Sequence, residues 1–166
     1  MFWLKSGLFA VGLGMSFVYA IIPPLARDLG LSEIQASFIF SLSAVAWAMT
    51  SAPWGRASDK YGRRNIAILG YIGYSISMII LILPIYLADK NILSAAFVFP
   101  LLILGRTIYG LLGSATRPAS FAYIADITPK SKRTKKFARF ESNFLLGTLV
   151  GPLLGVYLYL ISALAP

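Results

Sequence analysis

The sequence predicts an all-α polytopic membrane protein, and three observations carry that reading. Hydrophobic residues make up 58% of the chain and the mean hydropathy is +0.76, more apolar matter than a soluble domain with one buried core holds. The apolar residues fall in long continuous runs rather than in the roughly ten-residue alternating segments of an outer-membrane barrel. Short polar stretches of very unequal charge separate the runs.

A helix needs about 20 predominantly apolar residues to cross about 30 Å of hydrocarbon, and five stretches meet or approach that length. The first, near 7–25, follows Lys5 as the apolar region of a secretory signal would. Pro23 and Pro24 stand where a small-residue cleavage site belongs, so an uncleaved first span is expected. The second and third, near 34–54 and 66–88, flank the polar stretch GRASDKYGRRN of 55–65. The fourth, near 95–124, carries Arg106 well inside it, and the fifth, near 138–163, follows the most basic segment of the chain. Residues 1–166 thus read as one partial transmembrane domain.

Net charge is +9, and its distribution says more than its size. Lys5 precedes the first span. Arg56, Lys60, Arg63 and Arg64 lie between the second and third, and Lys130, Lys132, Arg133, Lys135, Lys136 and Arg139 lie between the fourth and fifth. The alternate connections hold Arg27 and Lys90, accompanied by Asp28, Glu33 and Asp89. This is the positive-inside pattern. It puts the N-terminus and both basic connections in the cytoplasm and the C-terminus on the periplasmic or extracellular side of a cell membrane, with a bacterial inner membrane expected. The charge partner is the lipid bilayer, and no nucleic acid is implied.

The chain contains neither cysteine nor histidine, which removes disulfides and most routes to nucleophilic, general-base or metal catalysis. Its six acids are mostly peripheral and form no evident catalytic pair. No enzyme, metal or cofactor is expected.

Gly55, Asp59, Lys60, Gly62, Arg63 and Arg64 are similar, residue by residue, to the G-x-L-A-D-[RK]-x-G-[RK]-[RK] signature between the second and third helices of the major facilitator superfamily, with Ala57 and Ser58 replacing its Leu and Ala. In the physical reading of the same residues, Gly55 permits close backbone approach, Gly62 can take the positive φ of a tight turn, and Asp59 can accept charge-assisted hydrogen bonds. The resemblance implies that Asp59 helps hold the cytoplasmic side closed. In the fourth span, Arg106, Gly110, Gly113, Pro118, Tyr123 and Asp126 follow the family's R-x3-G pattern and YIAD ending. In the fifth, Gly147, Gly151, Pro152 and Gly155 resemble the antiporter motif of the drug:proton exporters, although Ala138 and Val156 stand where further glycines are usual.

Steps of four residues align Gly147, Gly151 and Gly155 along one stripe, and Pro152 removes a backbone donor beside it. Such stripes also serve ordinary close packing of membrane helices. By resemblance, this face meets the eighth helix of the family fold. Arg106 lies where a cation costs about 2.5–3.5 kcal/mol on insertion scales. It either snorkels or bonds carbonyls, or, by resemblance, lines a central cavity and takes part in proton coupling. At about 100° per residue, Gly110, Gly113, Arg117 and Ser120 share its face. Arg117 either adds a second positive charge to that face or pairs with Glu141 across the hairpin of the fourth and fifth spans. Tyr19, Tyr109 and Asn143 are further cavity candidates, and as interhelical glue they would serve equally well.

The resemblance covers essentially the whole chain and corresponds to helices one to five of a family that normally has twelve or fourteen. It implies proton-coupled efflux of a small amphipathic molecule, driven by the proton gradient, by a truncated or split transporter inactive alone. The expected partner is the missing C-terminal half. The alternative is a free-standing membrane modulator that docks onto another facilitator-family protein. Many tetracycline-type exporters carry a membrane acid in the first helix, and Gly7 to Tyr19 contains none.

Overall fold

A computed structural model describes residues 2–28, 30–90 and 92–164, and every regular element among them is helical. In order these are α1 (Phe2–Asp28), α2 (Glu33–Tyr61), α3 (Arg63–Asp89), α4 (Ala95–Leu112), a 3₁₀ turn (Gly113–Ala115), α5 (Thr116–Asp126), a second 3₁₀ turn (Lys130–Lys132) and α6 (Arg133–Leu164). Four segments are long and apolar enough to cross a bilayer: Trp3–Arg27, Glu33–Tyr61, Arg63–Ala88 and Phe97–Asp126. The last joins α4 and α5 through the 3₁₀ turn. α6 contains the fifth apolar stretch, of which the side chains beyond Tyr157 lie outside those described.

Several helices run past the apolar stretches read from the sequence. α2 continues through Gly55 to Tyr61, so the polar stretch expected as a loop is the last two turns of one helix, a single break at Gly62, and the start of the next. Hydropathy finds the part of a helix that suits hydrocarbon, whereas backbone hydrogen bonding continues into the polar layer. Proline lies inside α1, α2, α3, α4 and α6, as membrane helices tolerate where neighbouring groups satisfy the freed carbonyls.

The chain divides into two compact units, α1 with α6 and α2 through α5. In the second, α3 turns Gly70, Gly73, Tyr74, Ser77 and Leu81 inward, while Ile72, Ile76, Ile79, Leu83 and Tyr86 stand exposed at helical spacing. α6 in the first unit does the same, burying Gly147, Gly151 and Gly155 and exposing Leu145, Leu149, Leu153 and Val156. Small residues inward and large apolar residues outward is the arrangement of helices that pack in lipid, where close backbone approach rather than water exclusion holds them together.

Pro118 explains the break in the fourth span. It sits in the first turn of α5, where a missing N–H costs little, and it cannot donate to the carbonyl of Ser114. The three residues before α5 tighten into the 3₁₀ turn.

Candidate functional site

Gly62 has φ 94° and ψ 126°, a backbone state that side chains with a Cβ rarely adopt. It reverses the chain in one residue, so that α3 begins at Arg63, and Ile66 N–H donates to the Gly62 carbonyl at 3.2 Å. Arg63 consequently stands beside the last turn of α2 and the end of α5. Its Nη2 lies 3.1 Å from Asp59 Oδ1 and its Nε 2.8 Å from Asp126 Oδ2. Both carboxylates sit at helix C-termini, where the macrodipole disfavours an anion, and the single guanidinium offsets both. The ion pairs are half in solvent, with Arg63 31%, Asp59 64% and Asp126 53% exposed. Each therefore contributes about 0–1 kcal/mol, and its value is positional.

Arg64 is exposed and shares the groove around Arg63 with Asn65 and Tyr123. Lys60 Nζ rests 5.2 Å from the centroid of the Tyr61 ring. Ser58, placed where the family signature has Ala, is buried and donates to the Gly55 carbonyl at 2.7 Å. Gly55 corrects the sequence reading. A Cβ built there meets nothing within 4 Å, so the close approach expected at that glycine is not made within the described residues.

Arg106 is 1% exposed, which rules out snorkelling within its unit. Its Nη2 donates to Ser43 Oγ of α2 at 3.1 Å, and its Cζ lies 5.1 Å and 5.0 Å from the ring centroids of Phe40 and Tyr109. A cation held that close to aromatic faces is attracted by the ring quadrupoles, more strongly when desolvated. Tyr109 in turn packs against Trp47 at 5.2 Å and edge-on against Tyr74 at 5.9 Å. Gly110 brings the two helices together, since a Cβ there would lie 2.6 Å from the Ser43 carbonyl oxygen and 2.7 Å from Ala46 Cβ.

The face toward α2 continues from Arg106 and Gly110 to Ser114, whose Oγ is 2.8 Å from Thr50 Oγ1. Thr50 Oγ1 is also 3.1 Å from the Gly110 carbonyl oxygen, and Trp54 Nε1 donates to the Leu111 carbonyl at 2.6 Å. Two residues one turn apart on α2 thereby bond to the carbonyls just ahead of the break in the fourth span. Gly113, expected beside Arg106, makes room for the Tyr109 ring, while Arg117 is half-buried and Ser120 buried. Ser43, Thr50 and Trp54 were not singled out in the sequence. Their signal was the spacing 43, 46, 47, 50, 54, one helical face of small, hydroxyl and indole residues.

In the other unit the glycine stripe of α6 is occupied, and by α1. A Cβ on Gly147 would collide with the Phe9 carbonyl and lie 2.7 Å from Leu13 N, and one on Gly151 would collide with Ser16 Oγ and the Leu13 carbonyl. Gly155 is looser, with Ile21 and Phe17 side chains at 3.5 Å. Gly12 reciprocates from α1, where a Cβ would strike the Phe144 carbonyl. The face that the resemblance assigns to an eighth helix is thus used inside this chain, because glycines on both helices let two backbones approach. Pro152 is half-buried beside the stripe. Tyr19 is 47% exposed on α1, and Asn143 of α6 donates to the Arg139 carbonyl one turn earlier.

Inward-facing small residues, a buried arginine in an interrupted fourth span and four helical segments long and apolar enough to cross a bilayer are the features of a multi-pass helical membrane protein. The chain belongs to the Major Facilitator Superfamily, whose family model matches residues 6–164. It is 33% identical over 157 residues to the tetracycline resistance protein, class B, of Escherichia coli, covering 93% of this chain and 36% of that protein. The class C tetracycline resistance protein of the same organism is 32% identical over 160 residues, covering 95% and 37%. The quinolone resistance protein NorA of Staphylococcus aureus is 26% identical over 165 residues, covering 99% and 39%. The chain spans a little over a third of the length of these relatives.

Proposed function

We propose that this chain supplies the first five helices of a drug:proton antiporter of a bacterial inner membrane, which exports a small amphipathic molecule as protons flow inward. The observation that carries the reading is the clasp of Arg63 on Asp59 and Asp126. One half-buried guanidinium ties the Gly62 turn to the end of the fourth span with little cost to break, as a gate that must open and close in every cycle requires. In this reading the N-terminus, the Gly62 turn and Asp126 face the cytoplasm, and α6 is the fifth span. Arg106, with Tyr109, Gly110, Gly113 and Arg117 on the fourth span and Tyr19 and Asn143 on the first and fifth, serves the cavity and proton coupling.

Substrate sites of such folds lie between two halves related by repeats. Five helices do not complete even one six-helix half, so the chain by itself does not transport, and its partner is the remainder of the transporter. The relatives, tetracycline and quinolone resistance proteins by name, suggest tetracycline-like or quinolone-like compounds as the first to test.

The test uses inverted membrane vesicles containing the chain joined to the rest of its transporter. Energised vesicles should accumulate at least one such compound, and a protonophore should abolish the uptake. Uptake that survives the protonophore, or accumulation only in right-side-out vesicles, contradicts the reading.

A further inference from the structure

The geometry points to Phe40 and Ser43 of α2 as positioning residues for Arg106, an inference that rests on the transport reading above. They lie three residues apart and so share one face of the helix. Ser43 Oγ donates its proton to the Phe40 carbonyl at 2.8 Å, which turns the oxygen lone pairs toward Arg106, and Nη2 donates to that oxygen at 3.1 Å. Phe40 covers one part of the guanidinium at 5.1 Å from Cζ, and Tyr109, three residues after Arg106 on its own helix, covers another at 5.0 Å. Trp47 and Tyr74 fix the Tyr109 ring from α2 and α3.

The clamp does two things that a carboxylate partner would not. A planar guanidinium stacks on ring faces and hydrogen-bonds at its edge, so its orientation is set as well as its position. Phenylalanine and serine carry no charge in any step of a transport cycle, so what they supply is position and orientation. Arg106, 1% exposed, is thereby held in one orientation as well as one place. Loss of either α2 residue should leave the charge in place and its direction undefined.

A double-mutant cycle in the intact transporter tests this, with drug uptake by inverted vesicles as the readout. Ser43→Ala and Phe40→Leu should each lower the maximal rate about tenfold while KM stays within about twofold, and Ser43→Thr and Phe40→Tyr should restore most of it. In an Arg106→Gln background, which has lost proton-driven uptake, the same two changes are read on the melting temperature, where each should cost clearly less than it does beside Arg106. Equal losses in both backgrounds would overturn the inference, because side chains that only fill space act whether or not the guanidinium is present. Should Ala or Leu reduce the amount of folded protein, the Thr and Tyr variants decide: full rates support the clamp, and rates no better than those of Ala and Leu overturn it. If the unmodified transporter moves no compound, the transport reading fails. The cycle is then read on the melting temperature, where coupling of Ser43 to Arg106 supports the clamp and additivity overturns it.

Discussion

Arg63 Nε stands 2.8 Å from Asp126 Oδ2, so the first residue of α3 holds the last residue of α5. The same guanidinium reaches Asp59 at 3.1 Å, and three helix ends meet on one side chain. Coulomb attraction this exposed is screened by water and salt. Arg63→Ala, which removes both pairs, should therefore change unfolding stability by no more than about 2 kcal/mol while lowering transport at least about a hundredfold. Melting curves and initial uptake rates of the same preparation check this, and a stability loss as large as the activity loss would show a structural role instead. Arg63→Lys, which the family signature admits at this position, should restore only part of the rate, since one ammonium does not reproduce a two-nitrogen fork.

Gly62 makes that geometry possible. Its φ of 94° excludes most residues, and its ψ of 126° lies far from the left-handed helical well in which asparagine is comfortable. Gly62→Ala and Gly62→Asn should both lower stability, by about 1–3 kcal/mol, and both should weaken the Arg63 clasp. If Asn behaves like Gly in thermal melts, the turn does not have the conformation described.

Much of this was legible in the sequence, for reasons that also mark the limit. Apolar run length located four helical segments long and apolar enough to cross a bilayer, because hydrocarbon thickness is a fixed ruler. Gly62, Asp59, Arg63 and Asp126 were legible because a positive-φ turn and its charges leave a residue-by-residue signature. Three features were not. The continuation of α2 to Tyr61 escaped because hydropathy is blind to helix beyond the hydrocarbon. Ser43 and Thr50 escaped because hydroxyls in membrane helices commonly bond a carbonyl of their own helix, as Thr50 does with Ala46 at 2.7 Å, and nothing in composition tells such a residue from one that also reaches a neighbour. The packing of the α6 glycines on α1 escaped because a glycine stripe announces a close partner without saying which helix it is.

That stripe offers a graded test. Gly147 and Gly151 face backbone atoms of α1 that cannot move aside, whereas a methyl on Gly155 would make ordinary contact at 3.5 Å. Gly147→Ala and Gly151→Ala should each destabilise by about 1–3 kcal/mol, and Gly155→Ala should be neutral within about 0.5 kcal/mol. Thermal melts of the three variants in one detergent provide the comparison, and equal effects at all three positions would contradict the described packing.

The break in the fourth span is held from α2 by Trp54 and Thr50. Trp54→Phe removes the donor to the Leu111 carbonyl and should cost about 0.5–1.5 kcal/mol. Thr50→Ser should be nearly neutral, while Thr50→Val, which keeps the shape without the hydroxyl, should cost a similar amount to Trp54→Phe. Amide exchange at residues 113–116 should quicken in Trp54→Phe and Thr50→Val and stay unchanged in Thr50→Ser.

Under the proposed function, export by the transporter containing this chain is exchanged for protons, with Arg106 in the coupling machinery. The most direct measurement follows the pH gradient itself, in inverted vesicles acidified inside and monitored with a pH-sensitive dye. Addition of a transported compound should discharge the gradient in vesicles carrying the intact protein, and the discharge should disappear in Arg106→Gln. A compound that accumulates while the gradient stays level would rule out proton exchange, and an Arg106→Gln protein that discharges it as fast as the unmodified one would remove Arg106 from the coupling.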